Sequence, residues 1–426
     1  MCVGIKRLPG AIMDKREDSI LVAAKHVSEA KSMREYANEK ISLCKSTVMM
    51  DRSERVVTIV CDYSQNGEIP SFGNEQPGEV YYFSLLSIYI FGIVNFDAEK
   101  DHLTAYCYDE GVARKGGNNV ASLLVKHLRN TVILDSQRPI KELNIIMDNC
   151  AGQNKNKMVI RLIAFLVEMN YFLNVNLIFY VVGHTKNPAD RLFNIAKTSL
   201  RKQNVYTMKQ FIDLISDSVF VCGMEVYSSD FYDYNLLFEK IYKDLNKPGV
   251  KKWQIFSVTK PDNNDMKLSM VFRSSNLEDA LVQTYPIIKT ATNRDTMIRS
   301  KLVMLDPPGL KDIKQVELYT KYRKYVPIEW QDETCPRPAQ AVLDKFKLEK
   351  NEKVKSALEK KKEQQLKYYQ TIAKNASTVA ILRTTPQTQL PRILEHEVAA
   401  QEEAPTDIPK ENNNSDDEET PNVFEA

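Results

Sequence analysis

Closely spaced cysteines are missing from this chain. Its seven cysteines stand at positions 2, 44, 61, 107, 150, 222 and 335, and no two form a CxxC pair. That scatter excludes a zinc finger and a disulfide scaffold, and it leads us to expect a reducing, intracellular setting, nuclear or cytoplasmic. Net charge is also nearly absent, at +2 over 426 residues. Bulk attraction to nucleic acid is therefore not expected, and any such contact has to be local. The opening residues, MCVGIKRLPGAIMDKRED, lack the apolar core of a secretory signal. No internal repeat is evident. One uncharged run, Val80 to Phe96, approaches membrane-span length. Its Tyr, Phe and Ile content and its breaks at Ser87, Gly92 and Asn95 suit paired buried strands, so no membrane partner is expected.

What is present reads as a globular chain, 43% hydrophobic and 27% charged. Residues 13 to 45 carry helical spacing through Ile20, Ala23, Ala24, Val27 and Ala30. Strand signals follow at Glu54 to Cys61, across Glu79 to Phe96 and at His102 to Tyr108. After the loop GVARKGGNN, Val120 to Ile133 reads as an amphipathic helix. The strand Leu143 to Met147 leads to a buried helix at Met158 to Asn170. A second buried strand, Val175 to Val182, leads to a helix opened by Asn187 as N-cap and Pro188 at the first position. The order is three strands, helix, strand, helix, strand, helix. It predicts an α/β fold: a mixed sheet with helices on both faces and a ligand site at the strand C-terminal ends.

We divide the chain into an N-terminal helical segment (1–50), the α/β core (51–215) and an α+β appendage (216–335). A lysine-rich helix (336–374) and a disordered acidic tail (375–426) complete it.

The segment KELNIIMDNCAGQNKN, 141–156, is the most informative. Asp148 stands where a strand stops, before small and amide residues and a helix start rich in lysine. That is a setting for a divalent cation and a phosphate. Asp62 ends the first strand in the same way, and Asp190 lies in the first turn of the helix after His184. If the first and fourth strands are neighbours, Asp62 and Asp148 project side by side, and Asp190 closes the ring. Three such carboxylates repel one another unless cations sit between them. Two Mg²⁺ or Mn²⁺ ions about 3.5–4 Å apart would activate a water or a 3′-hydroxyl and stabilise a leaving oxygen.

Ordinary roles stay open for each residue. Asp62 would start a turn, Asp148 would make an Asx-turn, and Asp190 would reach back to the Asn187 backbone as in a capping box. His184 would be a loop hydrogen-bonding residue. Glu110, closing the third strand, is a further metal-side candidate or a plain surface acid. Gln153, Asn154, Lys155, Lys157, Lys186 and Arg191 surround the acids as candidate nucleic-acid contacts. Asp190, Asn194, Lys197 and Arg201 share one helix face that would lie along a phosphate backbone.

The strings DNCAGQNKNK (148–157), VGHTKNPADRLFNIAK (182–197), VCDYSQN (60–66) and YYFSLLSIYIFGI resemble a transposon-associated domain. That family looks like a divergent ribonuclease H-like member of the DDE transposase and integrase superfamily. The resemblance spans roughly residues 50 to 335. It implies that Asp62, Asp148 and Asp190 form an acidic triad, with His184 and Glu110 as accessories. It also implies nuclease-type chemistry, and we expect metal-dependent cleavage or strand transfer on DNA; the residues leave the choice between DNA and RNA open. The chain departs from the pattern in having Asp rather than Glu as third acid, and no zinc-binding or helix-turn-helix reader before residue 50. A DEDD-type exonuclease is disfavoured because position 64 is Ser. Two other expectations compete: an inactive nucleic-acid-binding or scaffolding protein, and self-association through residues 344 to 370. The latter segment lacks a regular heptad.

Overall fold

The computed structural model describes residues 13–378 apart from 74–76, 83, 133–137, 248, 262–267, 279 and 290–299. The acidic tail beyond residue 378 lies outside the described residues. The chain divides into two units, Met1–Glu349 and Lys350–Ala426.

The first unit is built on one mixed ten-stranded sheet. Its centre is β1 (Val56–Tyr63), whose first six residues are all buried. Runs rich in Val and Ile with both faces covered belong in such central strands. On one side β1 pairs antiparallel with β3 (Leu86–Phe96), and β3 with β4 (Asp101–Asp109). The short β2 (Gly67–Ile69) also pairs with β3. On the other side β1 is parallel to β5 (Ile140–Met147), and β5 to β6 (Phe172–Phe179).

Strands of the expected appendage extend this same sheet at both edges. β7 (Val221–Glu225) lies parallel to β4. Beyond β6 come β8 (Ile255–Thr259), β9 (Ser269–Arg273) and β10 (Val282–Pro286), all antiparallel.

Alternation along β1 sorts the helices onto two faces. Val57, Ile59 and Cys61 share a core with α2 (Gly117–Thr131), α3 (Lys157–Glu168) and α6 (Tyr234–Ile241). Val60 faces the opposite core, under α1 (Met13–Thr47), α4 (Pro188–Leu200) and α5 (Met208–Ile215). The expectation of an α/β sheet covered on both faces therefore holds.

α1 lacks a broad apolar stripe, yet it docks through buried Met33, Ala37 and Cys44 and through polar ties. Lys40 pairs with Glu142 at 2.8 Å, and its backbone carbonyl accepts from Thr58 Oγ1 at 2.9 Å. Two buried amides, Asn176 donating to Asn144 and Asn144 donating to the Thr58 hydroxyl, continue this bonding across the sheet. Such groups are tolerated inside because each finds a partner.

The Val80–Phe96 run differs in detail from the paired strands expected there. It holds a 3₁₀ turn (Gly78–Tyr82) and then the single long strand β3, which turns back into β4. Strand neighbours on both sides and helices above and below explain why the run is so uniformly apolar. Among the described residues no helix is long and apolar enough to cross a membrane. Four short helical pieces, α7 (Asp312–Glu317), a π turn (Leu318–Tyr322), a 3₁₀ turn (Arg323–Tyr325) and α8 (Ile328–Thr334), follow the sheet among the described residues. The lysine-rich segment forms α9 (Gln340–Thr378), with residues 348 to 370 almost wholly exposed.

Candidate active site

The parallel pairing of β1 and β5 ends at Cys61 opposite Met147. The next residue on each strand is therefore an aspartate, Asp62 and Asp148, and neighbouring parallel strands place the two side by side. Alternation puts them on the face of Val60 and Ile146, which α4 covers. α4 begins with Asp190 in its first turn.

Glycine at position 92 sets how closely α4 approaches. Gly92 is the β3 partner of Asp62, and a Cβ there would overlap the Phe193 ring. Phe193 lies three residues after Asp190, on the same side of α4. The bare backbone at Gly92 thus seats the helix, and the seat carries Asp190 toward Asp62.

Hydrogen bonds then fix each carboxylate. Asn187 Nδ2 donates to Asp62 Oδ2 at 2.9 Å. The Asn187 backbone N–H donates to Asp190 Oδ2 at 3.0 Å, closing the capping box expected there. Asp148 Oδ1 accepts from the Cys150 N–H at 3.3 Å, the Asx-turn expected, and also from Asn154 Nδ2. Asn154 is fully buried, and its own Oδ1 has no partner. In each carboxylate a single oxygen takes the side-chain or turn bond.

The electrostatics follow from burial and crowding. The Asp62 carboxyl is pushed up to about 7, first by burial and then by the Asp148 charge, with Asp190 adding a smaller push. The Asn187 hydrogen bond opposes the rise. Among the described residues no group of three or more His, Cys, Asp or Glu side chains lies close enough to hold a metal ion as placed. The arrangement is a repelling pair, Asp62 and Asp148, with Asp190 as a weaker third influence. A pair of acids short of counter-charge, one of them holding its proton near neutrality, suits a divalent cation as donor set.

One basic side chain, Lys115, reaches toward the pair. Lys115 is half-buried, 5.0 Å from the Tyr63 ring centre and 4.8 Å from that of Tyr89, and it donates to Asn66 Oδ1 at 2.5 Å. Burial lowers its pKa, against the attraction of Asp62 and Cys150. That attraction is not among the leading influences on Asp62 itself. Lys197 donates to the Gln65 carbonyl at 3.0 Å, and burial, Arg201 and Lys115 all lower its pKa. Lys115, Lys197 and Arg201 therefore form one basic group, and Lys115 is its member that feels Asp62.

The other expected site residues are dispersed. Glu110 pairs with Lys314 at 3.1 Å and accepts from the Ser87 N–H. His184 packs against His26, with ring centres 5.3 Å apart. Lys155 is buried, donates to the Lys251 carbonyl at 3.3 Å and is pulled down to about 8 by burial. It points inward, away from any phosphate outside. Lys157 pairs with Asp244 at 2.7 Å, and the exposed Arg191 approaches Asp101 at 3.7 Å. Gln153 is half-buried, and its carbonyl accepts from Asn156 Nδ2. Lys186 is exposed.

Sequence reasoning missed Lys115, read only as part of a loop, and the second role of Asn187. The N-cap signal at Asn187-Pro188 was visible, but its bond to Asp62 spans 125 residues and no local pattern announces it.

No curated protein and no solved structure matches the chain. Over residues 80–276, a span that includes Asp148 and Asp190 but not Asp62, the chain is similar to a domain of unknown function (DUF7869).

Proposed function

We propose that this chain is a ribonuclease H-like, transposase-derived protein that cleaves or transfers phosphodiester bonds in DNA with Mg²⁺ or Mn²⁺. The observation that carries the reading is the side-by-side exit of Asp62 and Asp148 from parallel neighbours, with the Asp62 carboxyl raised to about 7. The strand order β4-β3-β1-β5-β6, antiparallel then parallel, supports it as the order this reading expects.

Asp62 and Asp148 would hold the ions, with Asp190 completing a second position. The bound cations would supply an activated water or 3′-hydroxyl and charge neutralisation at the leaving oxygen. The chain's own groups do the rest. Asn187 orients Asp62, and Asn154 orients Asp148. With its carboxyl raised to about 7, Asp62 would hold a proton near neutral pH and would give it up on binding a divalent cation. Lys115, Lys197, Arg201 and Lys186 receive the phosphate backbone, chiefly by charge.

Nicking of supercoiled plasmid in Mn²⁺ tests this. Wild type should nick, and Asp148→Asn should lose about a hundredfold or more, since acids acting as one unit fail together. Equal nicking by both, or none by wild type, overturns the reading.

A second reading has its own observation: Asp148 and Asp190 are already engaged by Asn154, Cys150 and the Asn187 backbone. On it the chain binds nucleic acid without chemistry. DNA affinity unchanged by Mn²⁺, with no nicking, would favour this reading.

A further inference from the structure

We propose that a cleft across the sheet from the acid pair, walled in part by the loop that follows Asp148, is a nucleotide pocket that takes one unpaired base together with its phosphate. The inference deepens the phosphodiester reading and rests on it for the identity of the strand. The cleft encloses about 690 Å³. That is the size of a small-molecule site and far more than an ion or a lone phosphate needs.

It lies where the N-termini of α2 and α3 meet. The two approach so closely that a Cβ on Gly117 would stand 2.9 Å from the Asn156 amide. Gly152 and Asn156 line the cleft, and they belong to the loop that also carries Asp148 and Asn154. One loop is therefore a wall of the cleft and a side of the acid pair.

The lining carries two kinds of surface. α2 starts without a side-chain cap, and Gly116, Gly117 and Asn118 line the space together with Arg114. Lys157 also lines it but is held by Asp244, so the uncapped first-turn N–H groups and Arg114 would receive an anion. Val112, Met158, Leu305 and Pro308 offer apolar surface. The exposed Asp306 lies among them as a hydrogen-bond acceptor. The Asn118 amide is already engaged by Asp233 and the Asn235 N–H. A ligand with an anionic end, a flat body and an amino-bearing edge fits this set. An unpaired nucleobase gripped between apolar side chains is such a body.

The probe is AMP, titrated calorimetrically into the full chain without metal, with inorganic phosphate as the comparison. Gly152 and Leu305 both line the cleft, and a Cβ at Gly152 would meet nothing within 4 Å, so Gly152→Trp and Leu305→Trp each add bulk at the lining. AMP should bind at least about tenfold more tightly than phosphate, and either Trp variant should weaken it about tenfold or more at unchanged melting temperature. No binding at millimolar AMP, equal affinity for phosphate, or wild-type affinity in both folded Trp variants would overturn the pocket. AMP binding without plasmid nicking would spare the pocket and sink the reaction; nicking without AMP binding would do the reverse.

Discussion

Asn187 Nδ2 donates to Asp62 Oδ2 at 2.9 Å, tying the cap of α4 to the end of β1. The same residue caps its own helix through Oδ1, which accepts from the Ala189 N–H at 2.8 Å. One amide thus orients a carboxylate and anchors the helix that delivers Asp190.

Removing that amide should act on both. Asn187→Ala is expected to cost about 1–2 kcal/mol as a lost N-cap. Its hydrogen bond favours the charged form of Asp62, so its loss should raise the Asp62 pKa further above 7. The check is chemical denaturation together with the pH midpoint of Mn²⁺ binding, which should move upward.

Asp62 itself should lower stability at alkaline pH. Its folded pKa, about 7, lies above the ordinary carboxyl value, so the folded state binds the extra proton. Stability therefore falls as pH rises from about 4 toward 7, and the penalty is complete above 7. Asp62→Asn keeps an acceptor for Asn187 and should gain about 1–3 kcal/mol at pH 8 in metal-free buffer. At pH 4 it should gain little. Melting temperatures at the two pH values decide it; a gain equal at both would count against the titration.

Cation affinity should carry the opposite pH slope. A cation displaces the Asp62 proton, so Mn²⁺ binding is expected to weaken about tenfold for each pH unit below 7 and to level off above it. Calorimetry in two buffers of different ionisation heat would show the released proton near pH 6.

Gly92 offers a steric test. Any side chain there meets the Phe193 ring, so Gly92→Ala should push α4 outward and cost about 1–3 kcal/mol. A paired Gly92→Ala, Phe193→Leu variant should recover part of that stability, read by denaturant midpoint.

Much of this arrangement was legible in the chain. Parallel central strands announced themselves as apolar runs ending in aspartate, and Asn187-Pro188 announced a helix start. Those signals are local, because burial on both faces and capping leave their mark within a few residues. The fate of residues 216 to 286 was not legible. Short strands of five residues carry no record of which edge they join, and here they extend both. Lysines were the other failure. Lys155 and Lys115 look alike in sequence, yet one turns inward to the Lys251 carbonyl and the other lies on two tyrosine rings by the acids. A long side chain's direction is set by its tertiary neighbours.

The most direct measurement is calorimetric titration of Mn²⁺ at pH 8 into wild type, Asp62→Asn and Asp148→Asn. Saturable binding in wild type, lost in both variants while their folds melt normally, is expected of two aspartates sharing divalent ions. Absence of binding in wild type, or undiminished binding in Asp148→Asn, would contradict it.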